Sequence, residues 1–283
     1  MFKLKYAKMC NNEIFDKYGI KPVIEDYFKV ESNSFCIADG VTRDSIKGEA
    51  VPYPENEKEV KEWIKTYPNP SGSYLSAKIC AETFLENINK NIEMLEIVKN
   101  INKEIWKINK DRKIDYLKED LYGCVAVGGI IEKNTLKAFS IGDCHIKIFD
   151  EEFNELFQTT NNHLNFENYL NNIYVKQNEY NWNNPKDRAM VRRDFRNKPE
   201  KLYNDKEISF GVLTGEKEAE HYIDTYNINL ENAKYIVAYS DGCEPFFNDK
   251  ETIKTILTNP KEIEKEGKER TLIVYEKGED DIG

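Results

Sequence analysis

Residues 35–40, FCIADG, and residues 236–242, IVAYSDG, share one design: an apolar run that stops abruptly at Asp-Gly. An apolar run without helical period reads as a strand buried in a sheet. The Asp then emerges at the rim of that sheet. The Gly lets the backbone turn sharply and leaves room for a ligand to approach its carbonyl. If the two strands lie in neighbouring sheets and point the same way, Asp39 and Asp241 meet at one edge. Glu25-Asp26 stand at the head of another strand-like segment, DYFKVE, and can face the same edge. Asp280-Asp281 follow a Gly turn near the end of the sequence. A single Asp-Gly is an ordinary turn dipeptide, so the number and order of these features carry the reading.

Outward from these two strands the sequence alternates between strand-like and helix-like blocks. GCVAVGGII (123–131), LKAFSIG (136–142) and HIKIFD (145–150) read as strands, and TLIVY (271–275) as another. Leu75, Ile79, Phe84, Ile88 and Ile92 follow the spacing of an amphipathic helix that starts near Ser73. Met94, Ile97, Val98, Ile101, Ile105 and Ile108 form a second such stripe. Residues 42–72 are polar and Pro-rich, so loop or short helix. Residues 151–206 are polar and Asn-rich, which suits a flap-like insertion. Within them Lys186–Phe195 reads as a helix, with Arg188, Arg192, Arg193 and Arg196 along it and at its end. Those arginines either dock an acidic or phosphorylated partner or form a solvated face. Runs of strands separated by runs of helices, without strict βαβ alternation, point to an α+β domain over 1–283 with helices on sheet faces.

Composition excludes several classes. The 283 residues carry 41 Lys+Arg against 51 Asp+Glu, a net charge of −10. That balance argues against a nucleic-acid binder, which needs a basic footprint. No apolar stretch approaches a membrane span, and the first residues lack a secretory signal. The six cysteines are scattered singly, as expected of reduced thiols in a cytoplasmic protein. No cysteine is followed by Arg at the offset of a Cys-based phosphatase, and neither a P-loop nor GxGxxG occurs.

Carboxylates gathered at one edge repel each other unless a cation or protons intervene. An all-oxygen set of Asp carboxylates, a backbone carbonyl and waters suits Mg²⁺ or Mn²⁺. Two such ions can activate a water for in-line attack on a phosphoryl group.

The series Glu25-Asp26, Asp39-Gly40, Gly142-Asp143, Ser240-Asp241-Gly242 and Asp280-Asp281 resembles the PPM family, the PP2C-like metal-dependent Ser/Thr protein phosphatases. The resemblance spans nearly the whole chain, and GVLTGEKEA (211–219) is similar to the bacterial and archaeal type. It implies an α-β-β-α four-layer sandwich of two antiparallel sheets flanked by helices. It implies two Mn²⁺ or Mg²⁺ ions and attack by a hydroxide that bridges them. Asp39 would bridge the ions, the Gly40 carbonyl would bind one, and Asp241 and Asp280 the other. Glu25 and Asp26 would act through metal-bound waters, and Lys21 would hold the substrate phosphate. Asp120 and Glu244 are candidates for a third metal, while Asp143 would order a turn. The expected partner is a phosphorylated protein, with no nucleic acid, no membrane, and a monomeric chain.

The sequence departs from the family pattern in places. Val41 follows Asp39-Gly40 where eukaryotic members often carry a His, so that general acid is excluded. The last acidic pair stands close to the end of the sequence, so either a final strand is cut short or the sheet closes with TLIVY instead. A catalytically weak binding module and a phosphatase of small phosphorylated molecules stay open as alternatives.

Overall fold

The computed structural model describes residues 1–10, 24–41, 43–49, 54–161, 163–181, 184–265 and 269–278. Two five-stranded antiparallel sheets form the centre. The first has the order β10-β5-β4-β3-β2, from Asp224–Asn229, Thr135–Ile141, Cys124–Glu132, Ser34–Gly40 and Tyr27–Val30. The second has the order β1-β12-β11-β6-β7, from Phe2–Cys10, Arg270–Lys277, Tyr235–Tyr239, His145–Phe149 and Glu155–Gln158, and β8 (Leu202–Tyr203) with β9 (Lys206–Glu207) forms a separate antiparallel pair.

Alternation along the strands sorts side chains into layers. Phe35 and Ile37 of β3, Val125 and Val127 of β4, Ile236 and Ala238 of β11, and Ile273 and Tyr275 of β12 fill the space between the sheets. Burying each large side chain stabilises the fold by roughly 1.5–3 kcal/mol. The Tyr275 hydroxyl donates to the Glu31 and Ser34 carbonyls of the opposite sheet. On the outer face of the first sheet, Cys36, Ala38, Cys124 and Ala126 meet helices α2 (Gly72–Asn87) and α3 (Met94–Asn109). On the outer face of the second, Val237, Tyr239, Leu272 and Val274 meet α7 (Lys250–Thr258). The architecture is thus the expected α-β-β-α sandwich.

The α2 stripe differs from its sequence reading. The face against the sheet is Ser73, Ser76, Ala77, Cys80, Ala81 and Phe84, while Leu75 and Ile79 lie to the side. Small side chains on both surfaces let the helix backbone approach the sheet closely. Within 42–72, α1 (Glu57–Thr66) forms, its first turn capped by the Asn56 side chain, which accepts from the Glu59 amide. Of residues 151–206, Glu155–Gln158 join the second sheet as its edge strand. Beyond them, α4 (Leu164–Tyr169), a π turn, α5 (Val175–Asn178) and α6 (Pro185–Phe195) surround a small core of Phe166, Leu170, Tyr180, Val191 and Phe195. Among the described residues no helix is long and apolar enough to cross a membrane, and all six cysteines are free thiols.

The register brings functional strand ends to one rim. Gly40 at the end of β3 pairs with Cys124 at the start of β4. Tyr239 at the end of β11 pairs with His145 at the start of β6 and with Leu272 near the start of β12.

Candidate active site

Asp39 lies half-buried at the end of β3. Burial, and then the charges of Asp26, Asp241, Asp143 and Glu269, push its carboxyl well above the usual range. Four acidic side chains from four different strand ends therefore act on one carboxylate. Asp26 is almost fully buried, and its Oδ2 accepts from the Ser240 hydroxyl at 2.8 Å and the Thr271 hydroxyl at 2.7 Å. Burial still pushes Asp26 up, against these bonds and one with Asp39. Tyr67 donates to Glu25 Oε1 at 2.6 Å, yet burial holds Glu25 up at about 7. Arg43 acts on Glu25 in the opposite direction.

Glycine is required at both Asp-Gly steps for packing reasons. A Cβ on Gly40 would stand 2.6 Å from Ser73 Cβ and 2.9 Å from the Glu25 carbonyl oxygen. One on Gly242 would stand 2.2 Å from the Glu269 carbonyl oxygen. Each Asp-Gly thus lets a neighbouring acidic segment approach its own Asp.

Glu269 is the acid that the motif series does not contain. It stands immediately before β12, and its Oε1 accepts from the backbone amides of Glu25 at 2.6 Å and Asp26 at 2.7 Å. Burial and then the Asp26 charge push it up to about 8. The closing position in the sheet, between β1 and β11, belongs to Arg270–Lys277. An acid directly before the closing strand is therefore Glu269, and its position ahead of TLIVY is the signal that could have found it. Asp280 and Lys21 lie outside the described residues. Asp241 opens a 3₁₀ turn, Asp241–Phe247, and is exposed.

Asp120 is engaged differently. Its carboxylate takes Arg192 Nε at 2.7 Å and Arg196 Nη2 at 2.7 Å. Burial opposes ionisation, but the Arg196 and Arg192 charges outweigh it and hold the carboxyl below its usual range. Two guanidiniums leave that acid little charge for a cation. Glu244 is exposed and acts instead on Glu167. Asp143, in the turn between β5 and β6, stands 3.6 Å from His163 Nδ1. Burial pushes Asp143 up, and the His163 imidazole more than offsets this. Asp143, His163 and Glu167 offer ligand atoms all within 4.8 Å of one another.

Among the described residues that triad is the one such group drawn so close together, and the Asp39 rim offers the donors of a divalent-cation site without that convergence. Burial pushes Glu25, Asp26, Asp39 and Glu269 up, and the charges of neighbouring acids add to this most at Asp39 and Glu269; a cation placed among them would favour their charged forms. The donors are all oxygens, as hard cations require.

No protein-family model matches the chain, and no curated protein sequence does. Solved structures do match. The serine/threonine phosphatase PstP/Ppp of Mycobacterium tuberculosis superposes with a TM-score of 0.57 at 11% identity, over 97% of this chain and 98% of that one. Stp1 of Staphylococcus aureus gives 0.57 at 11% identity, over 98% and 95%. The photosystem II phosphatase PBCP gives 0.54 at 14% identity, over 98% and 99%. The PstP catalytic domain in complex with two manganese ions gives 0.57 at 11% identity, over 98% and 99%. The order of strands, the four layers and these superpositions agree: the chain has the fold of the PPM, or PP2C-like, serine/threonine phosphatases.

Proposed function

We propose that the chain is a divalent-metal-dependent phosphoserine/phosphothreonine phosphatase. The observation that carries this reading is the gathering of acidic strand ends around Asp39 at one rim of a sandwich whose structural relatives are phosphatases. Asp39, the Gly40 carbonyl, Asp241 and Glu269 are the groups that would hold Mn²⁺ or Mg²⁺, with Glu269 in the place the motif series gives to Asp280. When bound, such ions supply an activated water and neutralise phosphoryl oxygens.

The chain's own residues arrange the rim. Ser240 and Thr271 fix Asp26 on one oxygen, so Asp26 orients what lies before it. Tyr67 aims Glu25. Glu269 clamps the Glu25-Asp26 backbone, and Asp26 is the one of the two that contacts Asp39. Val41 offers no proton donor beside Gly40. A serine or threonine phosphoester in a protein is the substrate class suggested by the relatives.

The test is hydrolysis of a phosphoserine peptide and of an aryl phosphate, with Mn²⁺ and with EDTA. Asp39→Asn is expected to lower kcat/KM by at least about 100-fold, as loss of metal-site groups does. Activity that survives EDTA or the substitution would sink the proposal. Mn²⁺ binding without hydrolysis would leave a binding module.

A further inference from the structure

Beside the carboxylate rim lies a small cavity of about 150 Å³, walled by Glu25, Gly40, Arg43, Asp44, Arg188 and Arg192 among others. Asp39, Asp241 and Glu269 are not among its walls. Three guanidiniums from two separate parts of the chain face a space of this size. Arg43 comes shortly after the end of β3, whereas Arg188 and Arg192 sit one turn apart on α6. The helix begins there, its Asn184 side chain capping the Lys186 amide, so its positive end adds to the field.

Both acids in the wall take further donors, and Arg43 acts on Glu25, so three arginines stand against two carboxylates there. Glu25 Oε1 takes the Tyr67 hydroxyl, and Asp44 Oδ2 takes the Gly72 amide at 2.7 Å. Burial pushes the Arg188 guanidinium down, and the charges of Arg43 and Arg192 nearby add to this. Asp120 grips Arg192 by Nε and fixes where its head points. Arg193 on the same helix is different: it is exposed and pairs with the adjacent Asp194. The helix therefore does not present a uniform solvated face, since its inward arginines are gathered on one cavity.

We infer that Arg43, Arg188 and Arg192 form a subsite for a second anionic group of the substrate, a carboxylate or phosphate on a residue next to the phosphorylated one. The inference rests on the phosphatase reading for the position of the scissile phosphate, which sits over the acidic rim and outside this cavity. A planar fork recognises either anion bidentately. The cavity holds one such group and adjoins Gly40, so its occupant lies beside the reacting phosphate. The substrate class is a phosphorylated segment with an acidic or second phosphorylated neighbour.

The experiment uses four phosphoserine peptides identical except for the flanking residues: Ala, Glu, a second phosphoserine, or Arg. For each, kcat/KM is measured with Mn²⁺, and binding is measured by fluorescence anisotropy in EDTA. The wild-type chain is expected to favour the Glu or doubly phosphorylated peptide over the Ala peptide about tenfold, the worth of one charge-assisted contact. Arg188→Glu is expected to erase that ratio and favour the Arg-flanked peptide, while Arg188→Lys keeps part of it. Preference for both anionic peptides marks a general anion subsite, and preference for the doubly phosphorylated one alone marks a phosphate subsite. Equal wild-type values for all four peptides, or ratios unchanged in Arg188→Glu, overturn the inference. If hydrolysis fails for every peptide while the binding ratios hold, the phosphatase reading fails and the subsite stands.

Discussion

Asp39 and Asp120 sit near the ends of two paired strands, β3 and β4, and burial acts against the charge of each. Around Asp39 the neighbours are more acids, and its carboxyl is pushed well up. Around Asp120 they are Arg192 and Arg196, and its carboxyl is held down. One carboxylate is balanced by the chain itself, and the other is balanced only if something arrives from outside. A buried acid is therefore no sign of a metal site on its own. The sign is an acid whose surroundings omit the balancing cation.

Neutralising each acid gives the sharpest contrast, because the two changes have opposite signs. Asp120→Asn is expected to destabilise the protein by about 3 kcal/mol, since it strands the buried Arg196. Asp39→Asn is expected to raise the stability of the EDTA-treated protein, by removing repulsion at the rim. Urea denaturation of both variants reads this, and a loss of stability in each would break the comparison.

A smaller effect is expected from Gly242→Ala. Its methyl would meet the Glu269 carbonyl, and overpacking of this kind costs about 1–3 kcal/mol. Displacing Glu269 should also weaken Mn²⁺ binding in calorimetry, whereas an unchanged affinity would remove Glu269 from the ligand set.

A further effect is in pH. Glu269 is pushed to about 8 and Glu25 to about 7, against an ordinary value of 4.5. The native state holds these protons more tightly than the unfolded chain. Their contribution to stability is thus complete below about pH 4.5 and is lost as pH rises through 7 and 8. Asp120 works the other way, and its contribution is lost only on acidification. In EDTA the urea midpoint should fall between pH 5 and 8, and Mn²⁺ should flatten that slope by competing with the protons. A metal-free profile that rises over this range would contradict the contrast.

Much of this was legible in the sequence. Apolar runs ending in Asp-Gly gave β3 and β11 with their acids, and the two helical stripes became α2 and α3. Glu269 was missed because it stands in no dipeptide motif, and its role comes from amides at Glu25 and Asp26. The pairing of Asp120 with Arg192 and Arg196 was hidden for a similar reason, since nothing local announces a partner that far along the chain. The arginines of α6 were left open between a docking face and a solvated one. The packing of Val191 and Phe195 in the small aromatic core decides which way Arg188 and Arg192 turn.

The Glu269 clamp also bears on the order of assembly. It joins residues 244 positions apart in the sequence, and Thr271 reaches Asp26 across a similar span. Contacts this distant form late, after the loop-closure entropy of most of the chain has been overcome. During synthesis Glu25 and Asp26 emerge long before Glu269, so the rim cannot be complete until the intervening residues have been made. Binding of a divalent ion at this site would then report that this long-range closure has formed, and would hold together two segments made far apart in time.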